Sequence, residues 1–569
     1  METAINNRVK GSRAKSVVMT ATLSAEETLA RLQDLDNPGP LVQSIPPQDL
    51  LVMWNLADDE QRADLLRLAD KSQVDLLVDL KCWQGDTPNM DAVEELIGPL
   101  VMSGVDGAAQ AFRLMEGELR TLLLKRNARV HVLENRNDDL VVPDTSELIA
   151  CPDGYYHIEF PEPDLVSDVE RAMLQALLYQ PFDDYQAELE CVRHELASDL
   201  TEMAYQWHCS RLADFGFATR EEALSFMVPS SVEEVRQAAE NADPIVYFPS
   251  DIALPVLYRD SLKGNDFLDQ VMETLAAAEN DATTGRMASL ATELTAMTNL
   301  YLSATGVDLG NIEAVSRQIT WVRDMLSLGL SECADGDEEE GARLLSRLSP
   351  GMFLRAAWGI LYPLRKRARR LLADRKIRPV GRRGAIFDPP YYIGLDCLAR
   401  DIPCHWPALF KGDEPQHSLF EPGIDALAAF STPKQVTRAE QLLEEAEQLP
   451  TLLFDTLKSE QPPVRGTPAS ILVMNALANA AAERDPIPKP ILKEEANVFA
   501  SEILSMSEDQ LISDALAVFS PLVDVSLENS DDPDTDSEPM HRLLIRLIRI
   551  GRARLAADAP ERALLIESF

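Results

Sequence analysis

The sequence predicts a mainly α-helical fold, in which short helices stack into a superhelix and carry a small β-hairpin insertion. Glycine is scarce, at 25 of 569 residues, whereas alanine, leucine and glutamate dominate, which is typical of helices. Apolar residues also recur at helical spacing in short segments that follow one another closely. Because a short amphipathic helix cannot bury its apolar face alone, we expect these helices to stack on their neighbours.

The clearest run of helices is predicted between residues 41 and 129. Three helix starts, at 44–49, 58–60 and 72–75, follow one another at a spacing of about 14 residues. Ser44 is expected to cap the first helix, and acidic residues suit the positive end of each helix dipole. Further helices are predicted at 90–102, 106–115 and 117–128.

A β-hairpin is predicted at residues 147–160, after an extended segment at 129–133. The Pro-Asp-Gly sequence at 152–154 suits a turn, because glycine adopts the positive φ that the bend needs. Alternation along the second strand places His157 and Glu159 on the same face. These two side chains are therefore a candidate acid–base pair, although a half-buried strand needs a polar face in any case.

Helices are predicted again after the hairpin, including one long helix at 184–213 and, later, an acidic loop at 335–340 that separates two helical regions. The other helices are predicted at 164–179, 219–227, 231–240, 263–280, 285–304, 311–330, 351–374, 437–459, 468–482, 491–518 and 540–557.

Breaks in the helical pattern divide the chain into five segments. These are a flexible arm at 1–35, a helical repeat at 36–130, the hairpin with a helical domain at 131–334, a helical region with a basic segment and a Pro-rich loop at 335–484, and a C-terminal helical segment at 485–569.

Several motifs carry a family resemblance, and they are spread over most of the chain. They are Ser-Ile-Pro-Pro-Gln-Asp-Leu (44–50), Asp-Leu-Lys-Cys-Trp (79–83), Gly-Tyr-Tyr-His-Ile-Glu-Phe (154–160), Ala-Tyr-Gln-Trp (204–207), Arg-Leu-Ala-Asp-Phe-Gly-Phe (211–217) and Thr-Pro-Ala-Ser-Ile-Leu (467–472). With them the chain resembles a bacterial family of unknown function. Residues 36–130 separately resemble the N-terminal helical-repeat domain of MgtE-type magnesium transporters. That second resemblance implies a right-handed helical stack. It implies no metal site, because no ligand motif of the transporters can be matched in this sequence.

The charge balance narrows the classes of partner. The chain has 94 acidic and 53 basic residues, for a formal net charge of -41. This charge argues against a general nucleic-acid coat, which neutralises phosphates with Lys and Arg, and favours cationic or protein partners. Seven widely spread cysteines are typical of reduced thiols. No apolar run approaches the ~18 residues of a membrane span, so we predict a cytoplasmic bacterial protein.

The recognisable cofactor and hydrolase motifs are absent from the sequence. It contains no G-x-G, no Gly-Lys pair, no G-x-S-x-G and no H-E-x-x-H. We therefore predict no cofactor. The absence of these motifs does not exclude an enzyme of a new kind.

Three groups of residues contain the side-chain types of metal sites. Cys191 and His194 lie one turn apart, but a continuous helix would separate His194 from His208 by about 21 Å, too far for one zinc ion. Cys209, beside His208, completes this first group. The second group is Cys397, Cys404, His405 and His417, and the third is the acidic run Asp532, Asp534 and Asp536. The second group matches no zinc module, and the third lacks the glycine and glutamate of an EF-hand loop. No metal site is predicted.

A basic segment at 365–383 is the most informative candidate for binding. It contains ten Lys or Arg residues and a single acidic residue, Asp374. Such density can bind phosphate groups or an acidic protein surface, or it can dock on acidic helices of the same chain. The residues singled out for anion or partner binding are Arg365, Lys366, Arg367, Arg369, Arg370, Arg382 and Arg383.

The function favoured by these features is that of a non-catalytic cytoplasmic scaffold or regulatory adaptor that binds a partner protein, because stacked helices offer extended binding surfaces. Two alternatives stay open. One is an enzyme of unknown type with its site near the hairpin at 147–160. The other is a regulator that binds nucleic acid or another polyanion through 365–383. The basic helix at 540–557 either docks on the C-terminal core or lies on anionic lipid.

Overall fold

The computed structural model confirms a mainly helical fold with short antiparallel strands. It describes residues 24–135, 140–243, 245, 255, 258, 266–277, 281–374, 386–400, 407–411, 423–459, 467–523 and 538–566. The chain divides into two compact units. The first unit is Met1–Met227, Pro244–Asn265 and Glu273–Val322, and the second is Val228–Asp243, Asp266–Met272 and Arg323–Phe569. The five-segment division predicted from the sequence stays a prediction.

The elements up to residue 227 are mostly short helices. They are α1 (Ala25–Gln33), α2 (Gly39–Val42), α3 (Pro47–Leu56), α4 (Asp59–Leu68), α5 (Lys71–Lys81), β1 (Trp83–Gln84), β2 (Thr87–Pro88), α6 (Met90–Met102), α7 (Val105–Leu114), α8 (Gly117–Asn127), β3 (Arg129–Val132), β4 (Glu147–Ala150), β5 (Tyr156–Phe160), α9 (Asp168–Leu178), α10 (Phe182–His194), α11 (Ala197–Asp214) and α12 (Arg220–Phe226).

The remaining elements include longer helices. They are α13 (Val232–Asn241), α14 (Phe267–Ala277), α15 (Asp281–Thr305), α16 (Ile312–Cys333), α17 (Glu338–Arg347), α18 (Pro350–Ala373), α19 (Pro389–Leu398), β6 (Leu409–Phe410), β7 (Leu427–Ala428), α20 (Pro433–Pro450), α21 (Ala469–Ala481), α22 (Lys493–Ser505), α23 (Glu508–Val523), α24 (Pro539–Ala557) and α25 (Pro560–Ala563).

The predicted stack of short helices at the start of the chain is present, with two differences in detail. Helices α3, α4 and α5 begin 12 residues apart rather than about 14. Asp58 and Asp70 form capping boxes at the starts of α4 and α5. Ser44 does not cap α3, because its hydroxyl donates to the carbonyl of Leu41 one turn earlier. A helix, α1, also occupies part of the predicted arm, whose first 23 residues lie outside the described ranges.

The helices and the sheet of the first unit share one apolar core. Trp54, Val93 and Leu123 from the helices are buried in the same cluster as Ile158 and Phe160 from β5. Neither layer could bury these side chains alone, because each helix is too short and the sheet has only three strands. The sheet is therefore an integral layer of the stack.

The predicted hairpin is present and is joined by the extended segment that precedes it. Strands β4 and β5 pair antiparallel, and β3 pairs with the other edge of β5, in the order β3-β5-β4. Gly154 takes a φ of 73° in the turn between β4 and β5. The carboxylate of Asp153 accepts the backbone N–H groups of Tyr155 and Tyr156, which closes the turn.

Three expectations about helix boundaries are wrong. The single helix predicted at 184–213 is two helices, because Glu195 and Leu196 are extended between α10 and α11. The helix predicted at 491–518 likewise breaks at Met506. Glu338, which was expected in an acidic loop, begins helix α17, capped by Asp337. Neither of the two breaks contains a glycine or a proline. In each of the three cases packing partners or caps therefore outweigh local helix propensity.

The second unit is organised around buried carboxylates. Glu445 of α20 is fully buried and accepts hydrogen bonds from the Tyr391 hydroxyl at 2.6 Å and from Arg542 Nε at 3.3 Å. Asp388 is also fully buried, and it accepts the backbone N–H of Ser470 at 2.8 Å. Because a buried charge needs compensation, these bonds hold α19, α20, α21 and α24 in one arrangement.

Close helix packing in the second unit makes a specific prediction. A Cβ on Gly329 of α16 would lie 1.9 Å from the carbonyl oxygen of Phe353 in α18, whereas a Cβ on Gly351 would meet only Ser349 Oγ at 3.9 Å. We expect Gly329→Ala to lower the free energy of unfolding by about 2 kcal/mol or more through overpacking. Gly351→Ala, the matched control, should be neutral or stabilising, by up to about 1 kcal/mol. Chemical denaturation measures both, and equal midpoints for the two variants would contradict the packing.

Candidate functional site

A cavity of about 1120 Å³ lies in the first unit and is the candidate functional site. Its walls come from the end of α5 with the β1–β2 turn, the inner face of α11, the start of α12 and the segment at 302–309. The volume is in the range of a small-molecule site or slightly larger. Asp79 and His208 are the most buried polar residues of its lining.

Asp79 orients His208 at the wall of the cavity. The side chain of Asp79 is fully buried on α5, and its Oδ1 accepts a hydrogen bond from His208 Nδ1 at 3.0 Å. Because a carboxylate only accepts, the proton of the neutral imidazole is on Nδ1 and the lone pair is on Nε2. Among the described residues, Nε2 has no hydrogen-bond partner.

Arg211 compensates the charge of Asp79 and leaves His208 without a net negative neighbour. It lies one turn after His208 on α11 and donates to both Asp79 oxygens, from Nε at 2.7 Å and from Nη2 at 2.9 Å. Its Nη1 also donates to Glu116 at 3.0 Å. Burial opposes the charge of Arg211, yet these hydrogen bonds raise its pKa above the ordinary value. Burial also raises the pKa of Glu116, and Arg211 partly offsets this.

Aromatic rings cover the imidazole. The Trp83 ring stacks on His208 with 4.2 Å between centroids and 23° between planes, and Tyr205 lies 6.0 Å from the same imidazole. A hydrogen bond with Cys209, together with burial, raises the pKa of Tyr205 to about 12. Burial likewise raises the pKa of the Cys209 thiol. Cys209 is therefore a neutral thiol at pH 7 and lacks the thiolate character of a nucleophile.

The zinc ligands considered at 191–209 do not form one site. The helix break at Glu195 removes the continuous helix from which the distance of about 21 Å between His194 and His208 was calculated. The two histidines nevertheless have separate partners. His194 contacts Glu190 at 3.1 Å, and His208 is bonded to Asp79. Throughout the described ranges, no group of three or more His, Cys, Asp or Glu residues could hold a metal ion.

The other metal candidates lie mostly beyond the described ranges. Cys397 is buried in α19, and burial raises the pKa of its thiol to about 12. The residues outside the described ranges are Cys404, His405, His417, Asp532, Asp534 and Asp536. The six cysteines that the structure describes are free thiols.

The hairpin places Glu159 in a polar cluster that the sequence did not fully predict. Glu159 is buried and accepts hydrogen bonds from His131 Nε2 at 2.8 Å and from Ser146 Oγ at 2.9 Å. The bond from His131 lowers the pKa of Glu159. His157 lies opposite His131 in the strand register, but Glu159 is bonded to His131 and not to the predicted partner His157. Glu159 is thus held in structural bonds within the sheet, whereas His157 Nδ1 is buried without a hydrogen-bond partner among the described residues.

The described part of the basic segment is docked on its own unit. Arg367 and Arg370 each reach Glu447 at 3.0 Å. Arg365 Nε donates to the carbonyl of Arg400 at 2.7 Å, and Arg369 Nε donates to that of Ala399 at 3.1 Å. Lys366 is exposed, while Arg382 and Arg383 lie outside the described residues. These contacts favour internal docking of the helix among the alternatives for this segment.

The basic terminal helix, α24, has similar internal partners. Arg542 and Arg546 contact the buried Glu445, and Arg549 contacts Glu508 at 2.9 Å. Docking on the C-terminal core is therefore favoured over binding to lipid. Within the described ranges, every helix falls short of the length and apolar character that a membrane crossing requires.

Sequence reasoning missed the Asp79–His208–Arg211 group, although a signal for it was present. Asp79 interrupts the apolar face of α5 between Leu76 and Leu80, and a carboxylate on a buried face requires a partner. That partner lies 129 positions further along the chain, which no local pattern reveals. His208 and Arg211 were each noted in other contexts, as a possible zinc ligand and as part of a motif.

The fold and the cavity define a helical-stack protein with a buried carboxylate–imidazole pair at a ligand-sized cavity. The chain belongs to a family of unknown function (DUF6178), whose model matches residues 4–539. No curated protein and no solved structure shows a significant match to the chain. These comparisons do not show the resemblance to MgtE-type transporters.

The charge network around Asp79 makes a prediction about stability. Arg211→Met leaves the buried Asp79 with His208 alone, so we expect the free energy of unfolding to fall by about 2 kcal/mol or more. Arg126→Met is the matched control, because Arg126 pairs with Asp91 and Glu94 at the surface. Removing such a surface pair should cost less than about 1 kcal/mol. Urea denaturation at pH 7 measures both, and equal losses would contradict a special role for Asp79.

Proposed function

We propose that this protein is a non-catalytic scaffold or regulatory adaptor of the bacterial cytoplasm, which binds a partner protein through the outer face of α11. The observation that carries the proposal is a line of exposed apolar side chains on that helix and at its N-cap, Leu196. Leu196, Met203 and Trp207 are exposed to 62%, 48% and 52% respectively. We refer to these three residues as the α11 stripe.

The α11 stripe is held on a rigid support. Met203 and Trp207 are four residues apart and are therefore neighbours on one side of the helix. The adjacent face buries Leu200, Ala204 and His208 against the stack. Tryptophan is enriched among the residues that dominate binding energy, and here it lies beside a second exposed apolar side chain, Met203.

The charges beside the stripe indicate the chemistry of the partner. Asp199, Glu202 and Asp214 are exposed on α11. The one basic residue within the helix, Arg211, is held by Asp79 and Glu116. A partner surface with apolar anchors surrounded by Lys and Arg would complement this face, and the chain's net charge of -41 would speed the encounter.

The two alternatives receive less support from the geometry. In the enzyme reading, the carboxylate near the hairpin is Glu159, whose hydrogen bonds are already taken up by His131 and Ser146. In the polyanion reading, Arg367 and Arg370 would have to leave Glu447 before they bind phosphate. A MgtE-like repeat at 36–130 remains compatible with the adaptor proposal, as one form of helical stack.

The adaptor proposal predicts the loss of a partner when the stripe is removed. The full-length protein is immobilised and exposed to a bacterial lysate at low salt, and captured proteins are quantified by mass spectrometry. Wild type should retain a stoichiometric protein that Met203→Ala/Trp207→Ala loses at least tenfold, as expected when a hot spot worth about 1.4 kcal/mol or more is truncated.

The control for this experiment is Tyr179→Ala, which removes an aromatic residue exposed to 76% at the end of α9. It should retain the partner, and Glu202→Lys should weaken capture because it reverses one charge of the acidic face. If the wild-type protein returns alone, or if the stripe variant and Tyr179→Ala retain the same proteins equally, the proposal is wrong.

A further inference from the structure

We propose that the cavity beside His208 binds a small organic cation that has an apolar body and at least one N–H donor. This site is distinct from the α11 stripe, because His208 lines the cavity whereas Leu196, Met203 and Trp207 do not. The proposal rests on an unpartnered imidazole nitrogen, the apolar walls and the charges at the rim of the cavity.

His208 supplies a hydrogen-bond acceptor that the protein itself does not use. The side chain is 9% exposed, and Asp79 fixes its ring with Nδ1 toward the carboxylate. The described residues offer Nε2 no partner, although His208 lines the cavity. Nε2 is not one of the fully buried polar atoms, so it opens to the cavity, where a ligand N–H can donate to it in place of water. The Asp79–Arg211 pair keeps the imidazole in this orientation.

The walls of the cavity suit an apolar body. Trp83 stacks on the imidazole, and Leu212, Phe217 and Leu302 add further apolar surface. Aromatic side chains also attract cations through the negative face of the ring. The apolar body of an amine, whether flat or aliphatic, would therefore contact the apolar side chains, while its ammonium group would contact the aromatic rings.

The charges at the rim favour a cation over an anion. Besides the buried Asp79, four carboxylates, those of Asp86, Glu221, Glu222 and Asp308, line the cavity together with two cations, those of Lys81 and Arg220. Lys81 is already engaged, because it pairs with Glu95 at 3.3 Å and lies over the Trp54 ring. The field in the cavity is consequently negative, and negatively lined clefts concentrate positive ligands.

The experiment compares two probes that differ mainly in charge. 2-Phenylethylamine and 3-phenylpropionate have the same ring and linker, but the first ends in an ammonium and the second in a carboxylate. Isothermal titration of the full-length protein at pH 7.5 should give a dissociation constant below about 1 mM for the amine and at least tenfold weaker binding for the acid, a difference of about 1.4 kcal/mol or more.

Two variants locate the binding site. His208→Phe retains a flat ring against Trp83 but removes the acceptor, and it should weaken the amine about tenfold, as expected for a lost hydrogen bond to a charged group. Glu221→Gln/Asp308→Asn changes only exposed rim residues, so it keeps the fold intact. It should weaken the amine severalfold and reduce the salt dependence of binding. Asp199→Asn, an exposed carboxylate nine residues before His208 on α11 and outside the cavity lining, should change nothing.

Several outcomes would overturn the proposal. They are no detectable binding of 2-phenylethylamine at millimolar concentration, equal binding of the two probes, and binding that both site variants leave unchanged. Because Met203→Ala/Trp207→Ala leaves the cavity intact, it should bind the amine like the wild type. Failure of the partner capture and failure of ligand binding are therefore separate results.

Discussion

The contact between Asp79 and Arg211 is the constraint on which the rest of the first unit depends. A fully buried carboxylate on α5 needs a cation, and Arg211 on α11 provides it through two hydrogen bonds while also reaching Glu116 at the start of α8. Because removing either partner would strand a buried charge, the three elements are fixed relative to one another. The position of α11 follows from this bond.

Both proposed sites depend on that position. With Arg211 turned inward, His208 one turn earlier faces the cavity, and the adjacent exposed face of α11 presents Met203 and Trp207 to solvent. Helical periodicity thus places a ligand site and a docking surface on neighbouring faces of one helix. Carboxylates line the cavity and also flank the α11 stripe. The acidic composition therefore favours a positively charged ligand in the cavity and a positively charged partner at the stripe.

The sequence predicted the local features well and the long-range features poorly. Helices at 90–102 and 117–128 and the turn at Gly154 followed from periodicity and turn chemistry, which are local. The break at Glu195 was missed because α10 and α11 bury different faces, and packing rather than a glycine or proline ends the first helix. The pairing of Asp79 with His208 joins residues 129 positions apart, so no spacing rule could reveal it.

A double-mutant cycle between Asp79 and Arg211 tests the account most directly. Asp79→Asn, Arg211→Gln and the double variant keep the side-chain sizes similar while removing one charge or both. If the contact fixes α11, the free energies of unfolding should deviate from additivity by about 1–3 kcal/mol, with the double variant more stable than the sum of the single losses predicts. Additive losses, within about 0.5 kcal/mol, would contradict the central role of this contact.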